Sequence, residues 1–130
     1  MSAEQPSAAP PPRPFSSARY ESRLWLAQRL SAIVLAGCVL VHLITIVLAV
    51  RGGLSAAEIL GRLRASAWWL AFYLLFVASV AIHAPLGMRA IVAEWLDWRG
   101  RFLDAGIFMA GTILFALGLR AIAGLFGGPA

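Results

Sequence analysis

Two long stretches without a charged residue constrain this chain more than any other feature of its sequence. One lies between Arg29 and Arg51, and the other lies between Arg64 and Arg89. Each is long enough for the roughly 20 residues that an α-helix needs to cross the hydrocarbon core of a membrane. The two stretches therefore predict two transmembrane helices.

A third apolar run follows Asp104 and is interrupted only by Arg120. With 61% hydrophobic residues and a mean hydropathy of +0.81, the chain exceeds the apolar share of soluble domains. Backbone groups in lipid must be satisfied within the chain, which favours helices with short connections. We predict an all-α membrane protein with three transmembrane helices in an up-down bundle, at about residues 30–50, 66–90 and 103–125.

The first twenty residues are rich in Pro, Ser and Ala, and they contain few large apolar side chains. Such a segment cannot bury enough surface to offset its chain entropy. No apolar core follows the start methionine, so this is not the pattern of a secretory signal. We predict a disordered cytoplasmic tail at 1–20 and one membrane anchor domain at 21–130.

All basic residues are arginines, and they are distributed unevenly about the predicted helices. Seven of the eleven lie before the first helix or around the link between the second and third. The positive-inside rule then places the N-terminus and that link in the cytoplasm. The net charge of +5 is interpreted as a topology signal and not as a nucleic-acid surface.

The first loop carries apolar residues interleaved with Glu58, Arg62 and Arg64. This pattern predicts a short amphipathic helix lying in the membrane interface. The single cysteine, Cys38, falls in the middle of the first helix and predicts neither a disulfide nor a zinc site, but a small packing residue.

The two histidines both fall within predicted membrane helices. His42 belongs to a helical stripe of small or polar residues, spaced by three and four, that comprises Ser31, Leu35, Cys38, His42, Thr45 and Ala49. Such a stripe faces protein or a cofactor, since lipid offers polar groups no partner. His83 shares a helix face with Gly87, whose missing side chain would let a flat group approach the backbone.

A neutral imidazole in a membrane is costly unless its nitrogens are occupied. One interpretation is a hydrogen bond to a neighbouring helix, and another is axial ligation of haem iron. At ~1.5 Å per residue, His42 and His83 differ in depth by about 9 Å, which predicts that they serve different haems. Each haem then needs a second ligand from another chain.

The residues also resemble the haem-b membrane anchor subunits of succinate dehydrogenase and fumarate reductase, closest to the di-haem branch. The resemblance covers about residues 22–97 and rests on the order of short motifs. These are Gln28-Arg29-Leu30-Ser31-Ala32, then His42, then His83-Ala84 with Gly87, Met88 and Arg89, and then Glu94. The family pattern has a histidine where this chain has Gln28, and a quinone-lining serine where it has Trp25.

The resemblance implies particular roles for these residues. His83 and His42 would be axial ligands of haem b, and Gly87 and Arg89 would contact haem. Trp25, Arg29 and Ser31 would line a quinone site. Glu58 is a weaker candidate, for proton transfer near the membrane surface that faces away from the cytoplasm.

The resemblance also implies a multi-pass protein of the bacterial inner membrane that relays electrons between iron–sulfur clusters and quinone, with no chemistry on succinate itself. Its partners would be a flavoprotein subunit, an iron–sulfur subunit, and a second anchor subunit or a second copy of this chain. The alternatives are a cofactor-free structural or transport subunit, and the cytochrome b subunit of another quinone-reactive dehydrogenase.

Overall fold

The structure, a computed structural model, describes residues 15–127, with side chains from residue 18 onward. It contains four helices: α1 (Phe15–Arg51), α2 (Ala56–Arg64), α3 (Ala67–Trp95) and α4 (Arg101–Phe126). No strand occurs in this part of the chain. Helices α1, α3 and α4 are each long and apolar enough to cross a membrane. The predicted all-α fold with three long helices is confirmed.

Helix α1 begins at Phe15, about fifteen residues before its predicted start. Hydropathy marks only the part of a helix that lipid surrounds, and the preceding residues contain good helix formers and no proline after Pro14. Residues 15–20 of the predicted disordered tail are therefore helical. The other residues of that tail, 1–14, lie outside the described part of the chain.

A tight cap ends α1. Gly53 has φ +63°, the left-handed conformation that glycine adopts at little cost. The amide of Leu54 donates to the carbonyl of Ala49 at 3.1 Å, and that of Gly53 donates to the carbonyl of Val50 at 3.2 Å. This is the Schellman pattern, and it turns the chain directly into α2.

Helix α2 confirms the short helix predicted in the first loop. Ser55 and Glu58 form a capping box at its start: the Glu58 amide donates to the Ser55 Oγ at 3.3 Å, and the Ser55 amide donates to Glu58 Oε2 at 2.8 Å. At its other end, Arg64 Nε donates to the carbonyl of Leu125 at 2.7 Å. Helix α2 thus covers the same end of the bundle as the C-terminus of α4, which we call the outer end.

Helix α3 packs against both α1 and α4 and is the central helix of an up-down bundle. It continues through Pro85, whose ring lies near Gly111 of α4. A Cβ on Gly111 would lie 2.9 Å from the Ala81 carbonyl oxygen, which has lost its usual helical donor at Pro85. Gly118, two turns further on, lies against Val77 in the same way. Glycines on α4 therefore allow the close approach of α3 and α4.

Few residues are buried in the described part of the chain, and none of their side chains is completely enclosed. The buried residues are Cys38, Leu103, Ile122 and Pro85 among apolar ones, and Ser31 and Ser79 among polar ones. Cys38 is 5% exposed and free, which confirms the predicted packing role. Most large apolar side chains point outward, as expected for helices that bury their outer faces in lipid or against other subunits.

Candidate functional site

A polar cluster lies between α1 and α3, at the level of His83. The Nδ1 of His83 is 3.5 Å from the Oγ of Ser31, which is only 6% exposed. The Ser31 hydroxyl donates its proton to the carbonyl of Gln28 at 3.1 Å. Its oxygen can therefore accept the Nδ1 proton of His83. That tautomer leaves a lone pair on Nε2, the form in which imidazole binds a metal.

The Gln28 side chain completes this cluster. A Cβ on Gly87 would lie 3.2 Å from Gln28 Nε2, so the missing side chain of Gly87 makes room for the amide. Gln28 Oε1 is buried and has no hydrogen-bond partner among the described residues. Buried carbonyl groups of this kind usually have a donor. Among the described residues, the α1–α3 interface thus holds one buried acceptor that is not paired.

Arg89 lies at the opposite end of the bundle from α2, which we call the inner end. Its guanidinium joins all three long helices: Nη2 and Nη1 bind the carboxylate of Glu21 on α1 at 2.9 and 3.3 Å, and Nε binds Asp104 on α4 at 2.8 Å. Three of its five N–H groups are used in this way, and two remain for another partner. We call Glu21, Arg89 and Asp104 the inner triad.

Trp25 and Arg29 lie together on an exposed face of α1. The Arg29 guanidinium stands 5.2 Å above the centre of the Trp25 ring, a cation–π arrangement. Ser31, two residues further on, lies on the opposite side of the helix and is buried. The structure therefore brings two of the three predicted quinone contacts together and places the third beside His83.

His42 lies near the outer end and is exposed. Its ring is 6.4 Å from that of Tyr73 on α3, edge to face. Both line a groove of about 610 Å³ between α1, α2 and α3, together with Thr45, Ile46, Leu48, Ala49, Val50, Gly52, Leu54, Ile59, Arg62, Leu63 and Trp69. The predicted stripe on α1 therefore faces α3 from Ser31 to Cys38, and at His42 it opens into this groove.

The two histidines are further apart in depth than their positions in the sequence predict. Ser31 lies beside His83, and His42 is eleven residues further along α1, about 16 Å at the helical rise. Tyr73, which contacts His42, lies ten residues before His83 on α3. This spacing gives a second estimate of about 15 Å for the difference in depth between the two histidines. Two imidazole nitrogens that bind one metal are at most about 4 Å apart, twice a typical metal–nitrogen bond length. His42 and His83 cannot share one iron in this arrangement.

Glu58, the candidate for proton transfer, is exposed and serves as the capping residue of α2. The backbone amide of Ser55, with help from its hydroxyl, holds the pKa of Glu58 below its usual value. A carboxylate with a lowered pKa is ionised at neutral pH and holds a proton less readily. The contacts therefore account for Glu58 through helix capping, and its role in proton transfer stays a prediction.

Four residues of these sites were not among the predicted site residues: Glu21, Gln28, Tyr73 and Asp104. Glu21 and Asp104 could have been suspected, since a membrane arginine needs carboxylate partners and the chain has only six acidic residues. Gln28 belongs to the motif at the start of the first membrane span. Nothing in the sequence around Tyr73 pairs it with His42, because that contact depends on how α1 and α3 pack.

A comparison with protein-family models matches residues 8–126 to the succinate dehydrogenase/fumarate reductase transmembrane subunit. Searches of curated proteins and of solved structures found no match. The matched residues include all three long apolar helices and both histidines. The chain therefore belongs to the family of succinate dehydrogenase/fumarate reductase transmembrane subunits, and it is a multi-pass membrane protein.

Proposed function

We propose that the chain is the haem-b anchor of a succinate:quinone or quinol:fumarate oxidoreductase, in the di-haem branch of its family. The observation that carries this proposal is the setting of His83. Its Nδ1 lies beside the Ser31 oxygen, while Nε2 is left as the nitrogen for a metal. His83, with Gly87 and Arg89 on the following turns of α3, would hold the haem nearer the inner end. The Gln28 amide, which lies 3.2 Å from the position of a Cβ on Gly87, would have to turn aside for the haem to reach Gly87.

The available ligand side chains suit an iron that is already held in a porphyrin. Among residues 18–127, no three His, Cys, Asp or Glu side chains come together as ligands for a bare metal ion. Each histidine offers one nitrogen, and a porphyrin supplies four more. The second axial ligand would come from a second anchor subunit or from a second copy of this chain.

His42 is the proposed ligand of a second haem, nearer the outer end. The groove beside it has walls from α1, α2 and α3, and a partner chain would close it. The separation of about 15–16 Å from His83 along the bundle supports two haems, not one shared iron. Aromatic rings of Tyr73 and Trp69 line the groove and provide flat apolar walls.

Haem b with two imidazole ligands supplies one-electron transfer without an open coordination site. In this proposal, Arg29 donates an N–H group to a quinone carbonyl, and Trp25 packs against the quinone ring. Ser31 lies on the other side of α1, so its contribution requires the quinone to reach the α1–α3 interface. Electrons would pass between iron–sulfur clusters, quinone and haem.

The inner end is proposed to face the cytoplasm of a bacterium, with the N-terminus on that side. The arginine distribution supports this orientation, since most of the arginines lie near the inner end. A flavoprotein subunit and an iron–sulfur subunit would dock there.

The test is the haem content of the purified complex after His83→Ala substitution. Loss of one haem per complex is expected, because alanine offers no ligand. Met88→Leu is the matched control: Met88 is a possible iron ligand one turn away, but it is 56% exposed and on another face of α3. Unchanged haem in the His83 variant would contradict the proposal, and a native complex without haem would favour the cofactor-free alternative.

A further inference from the structure

We infer that Glu21 and Asp104 are positioning residues: through Arg89 they hold the inner segment of α3, and so keep His83 and Gly87 opposite Ser31 and Gln28. This inference rests on the proposed function of His83. Both carboxylates accept hydrogen bonds from Arg89, six residues after His83, so both would act on the histidine through α3.

The inner segment of α3 needs an external restraint because its own hydrogen bonding is interrupted. Pro85 has no amide proton for the carbonyl of Ala81, and this gap falls between His83 and Arg89. Gly87, two residues later, adds backbone freedom within the helix. The stretch from His83 to Arg89 is thus weakened at the point where its alignment with α1 matters.

The inner triad supplies that restraint. The planar guanidinium of Arg89 binds the Glu21 carboxylate through two nitrogens and Asp104 through a third. This geometry fixes the orientation of the Arg89 guanidinium as well as its distance from the two carboxylates. The Arg89 side chain is 21% exposed, and those of Asp104 and Glu21 are 35% and 53% exposed, so water screens the contact to Asp104 less than that to Glu21.

The two contacts act on different sides of α3. Glu21 lies on α1, the helix that also carries Gln28 and Ser31, and its contact sets the register of α3 against that helix. Asp104 lies in the first turn of α4 and holds Arg89 from the other side, near the point where Gly111 lies against Ala81 and Pro85. Together they define the position of the inner segment of α3 between its two neighbours.

The first test measures α1–α3 alignment without reference to haem. In the complete complex with Cys38→Ala, cysteines are introduced as Gln28→Cys and Gly87→Cys, and crosslinking by a short bifunctional thiol reagent is followed by mass spectrometry. The pair should crosslink while the triad is intact, since a Cβ at 87 would lie 3.2 Å from the far end of the Gln28 side chain, a span that such a reagent covers. Glu21→Gln weakens two charge-assisted hydrogen bonds to Arg89 and Asp104→Asn weakens one, so each should lower the crosslinked fraction. An unchanged fraction would overturn the inference.

The second test measures the haem itself, in chains that keep Gln28, Gly87 and Cys38. Glu21→Gln and Asp104→Asn should broaden the reduced haem-b absorption band and shift the midpoint potential of the His83 haem. Glu21→Asp keeps the carboxylate, so its absorption band and midpoint potential should stay close to those of the native complex. Glu94→Gln is the matched control, because Glu94 is exposed on α3 and makes no ion pair among the described residues. Altered crosslinking with an unaltered haem spectrum and potential would overturn the positioning role. Failure of the proposed function is seen separately, as haem retained in the His83→Ala complex.

Discussion

At the scale of single residues, Ser31 is the polar side chain beside Nδ1 of His83. Its hydroxyl donates to the carbonyl of Gln28, so its oxygen can accept a proton from Nδ1, and in the proposed function this contact favours the tautomer whose Nε2 binds a metal. A Nδ1–H that is hydrogen-bonded makes the opposite nitrogen a more basic ligand. A more basic ligand stabilises the oxidised iron relative to the reduced iron.

Replacing Ser31 by alanine should therefore raise the midpoint potential of one haem while leaving haem bound. A net hydrogen-bond contribution of about 0.5–1.5 kcal/mol corresponds to roughly 20–65 mV for a one-electron couple. Potentiometric titration of the complex measures the shift. Thr112→Ala is the control, because the Thr112 hydroxyl bonds only to Phe108 of its own helix. A shift of the same size in both variants, or a lower potential for Ser31→Ala, would contradict this role.

For this site, the sequence could predict only relations between residues of the same helix. The shared face of His83 and Gly87 followed from their separation of four, and both do face α1. The contacts of Gln28 with Gly87 and of Glu21 with Arg89 join residues on different helices. They depend on the register between α1 and α3, which no periodicity within either helix specifies.

At the scale of helices, the close packing of α3 and α4 depends on Gly111. An added Cβ there would meet a backbone oxygen, that of Ala81, which cannot rotate away as a side chain can. Gly111→Ala should therefore destabilise the complex by about 1–3 kcal/mol. Gly106→Ala on the same helix meets nothing within 4 Å and should be neutral or slightly stabilising. Thermal unfolding of the two purified variants measures this difference, and equal melting temperatures would count against it.

The start of α2 provides a second element-scale prediction. Ser55→Ala should cost about 0.5–2 kcal/mol of helix stability, since it removes the side-chain cap. Ser66→Ala, at the corresponding position of α3, should have little effect because Ser66 makes no side-chain cap hydrogen bond. Hydrogen exchange of residues 56–64 should rise only in the first variant. Equally strong protection of residues 56–64 from exchange in both variants would show that the Ser55 cap does not stabilise α2.

The same helix should respond to acid. Because the pKa of Glu58 is lowered in the folded chain, its capping contribution is complete above the pKa of an unfolded glutamate, about 4.3. This contribution is lost as the pH falls through the lower, folded value. The protection factor of the α2 amides, which compares their hydrogen-exchange rate with that of an unstructured chain at the same pH, should therefore fall below about pH 4 and stay constant between pH 6 and 8. A fall in this protection factor already between pH 6 and 8 would contradict the assignment.

The number and membrane-spanning parts of the helices could be predicted because long apolar runs leave a chain few alternatives. The start of α1 could not, since a helix continues through polar residues once it has left the lipid. Glu21 lies in this extension, and only its position opposite Arg89 shows why the extension matters.

At the scale of the whole molecule, the residues that the structure describes leave the groove beside His42 open to its surroundings. His42 is exposed, and the outer groove has walls from α1, α2 and α3 only. A partner chain would complete it. In the proposed function, the two histidines, about 15–16 Å apart along the bundle, would provide one relay point nearer each end.

The orientation of the bundle leads to a labelling prediction. Ser55→Cys in a Cys38→Ala background should react with a membrane-impermeant thiol reagent added from outside the cytoplasm. The reason is that α2 lies at the end with fewer arginines. A cysteine replacing Asp97, in the link between α3 and α4, is the matched control for the inner end. Labelling of position 55 from the cytoplasmic side only would reverse the topology.

The most direct measurement of the central claim is a potentiometric titration of haem b in the native complex and in its two histidine variants. The native complex should show two haem-b components. His83→Ala should remove one, and His42→Ala should remove the other, because in the proposed function each histidine binds its own iron. A single component that survives both substitutions would contradict the assignment of either histidine as a haem ligand.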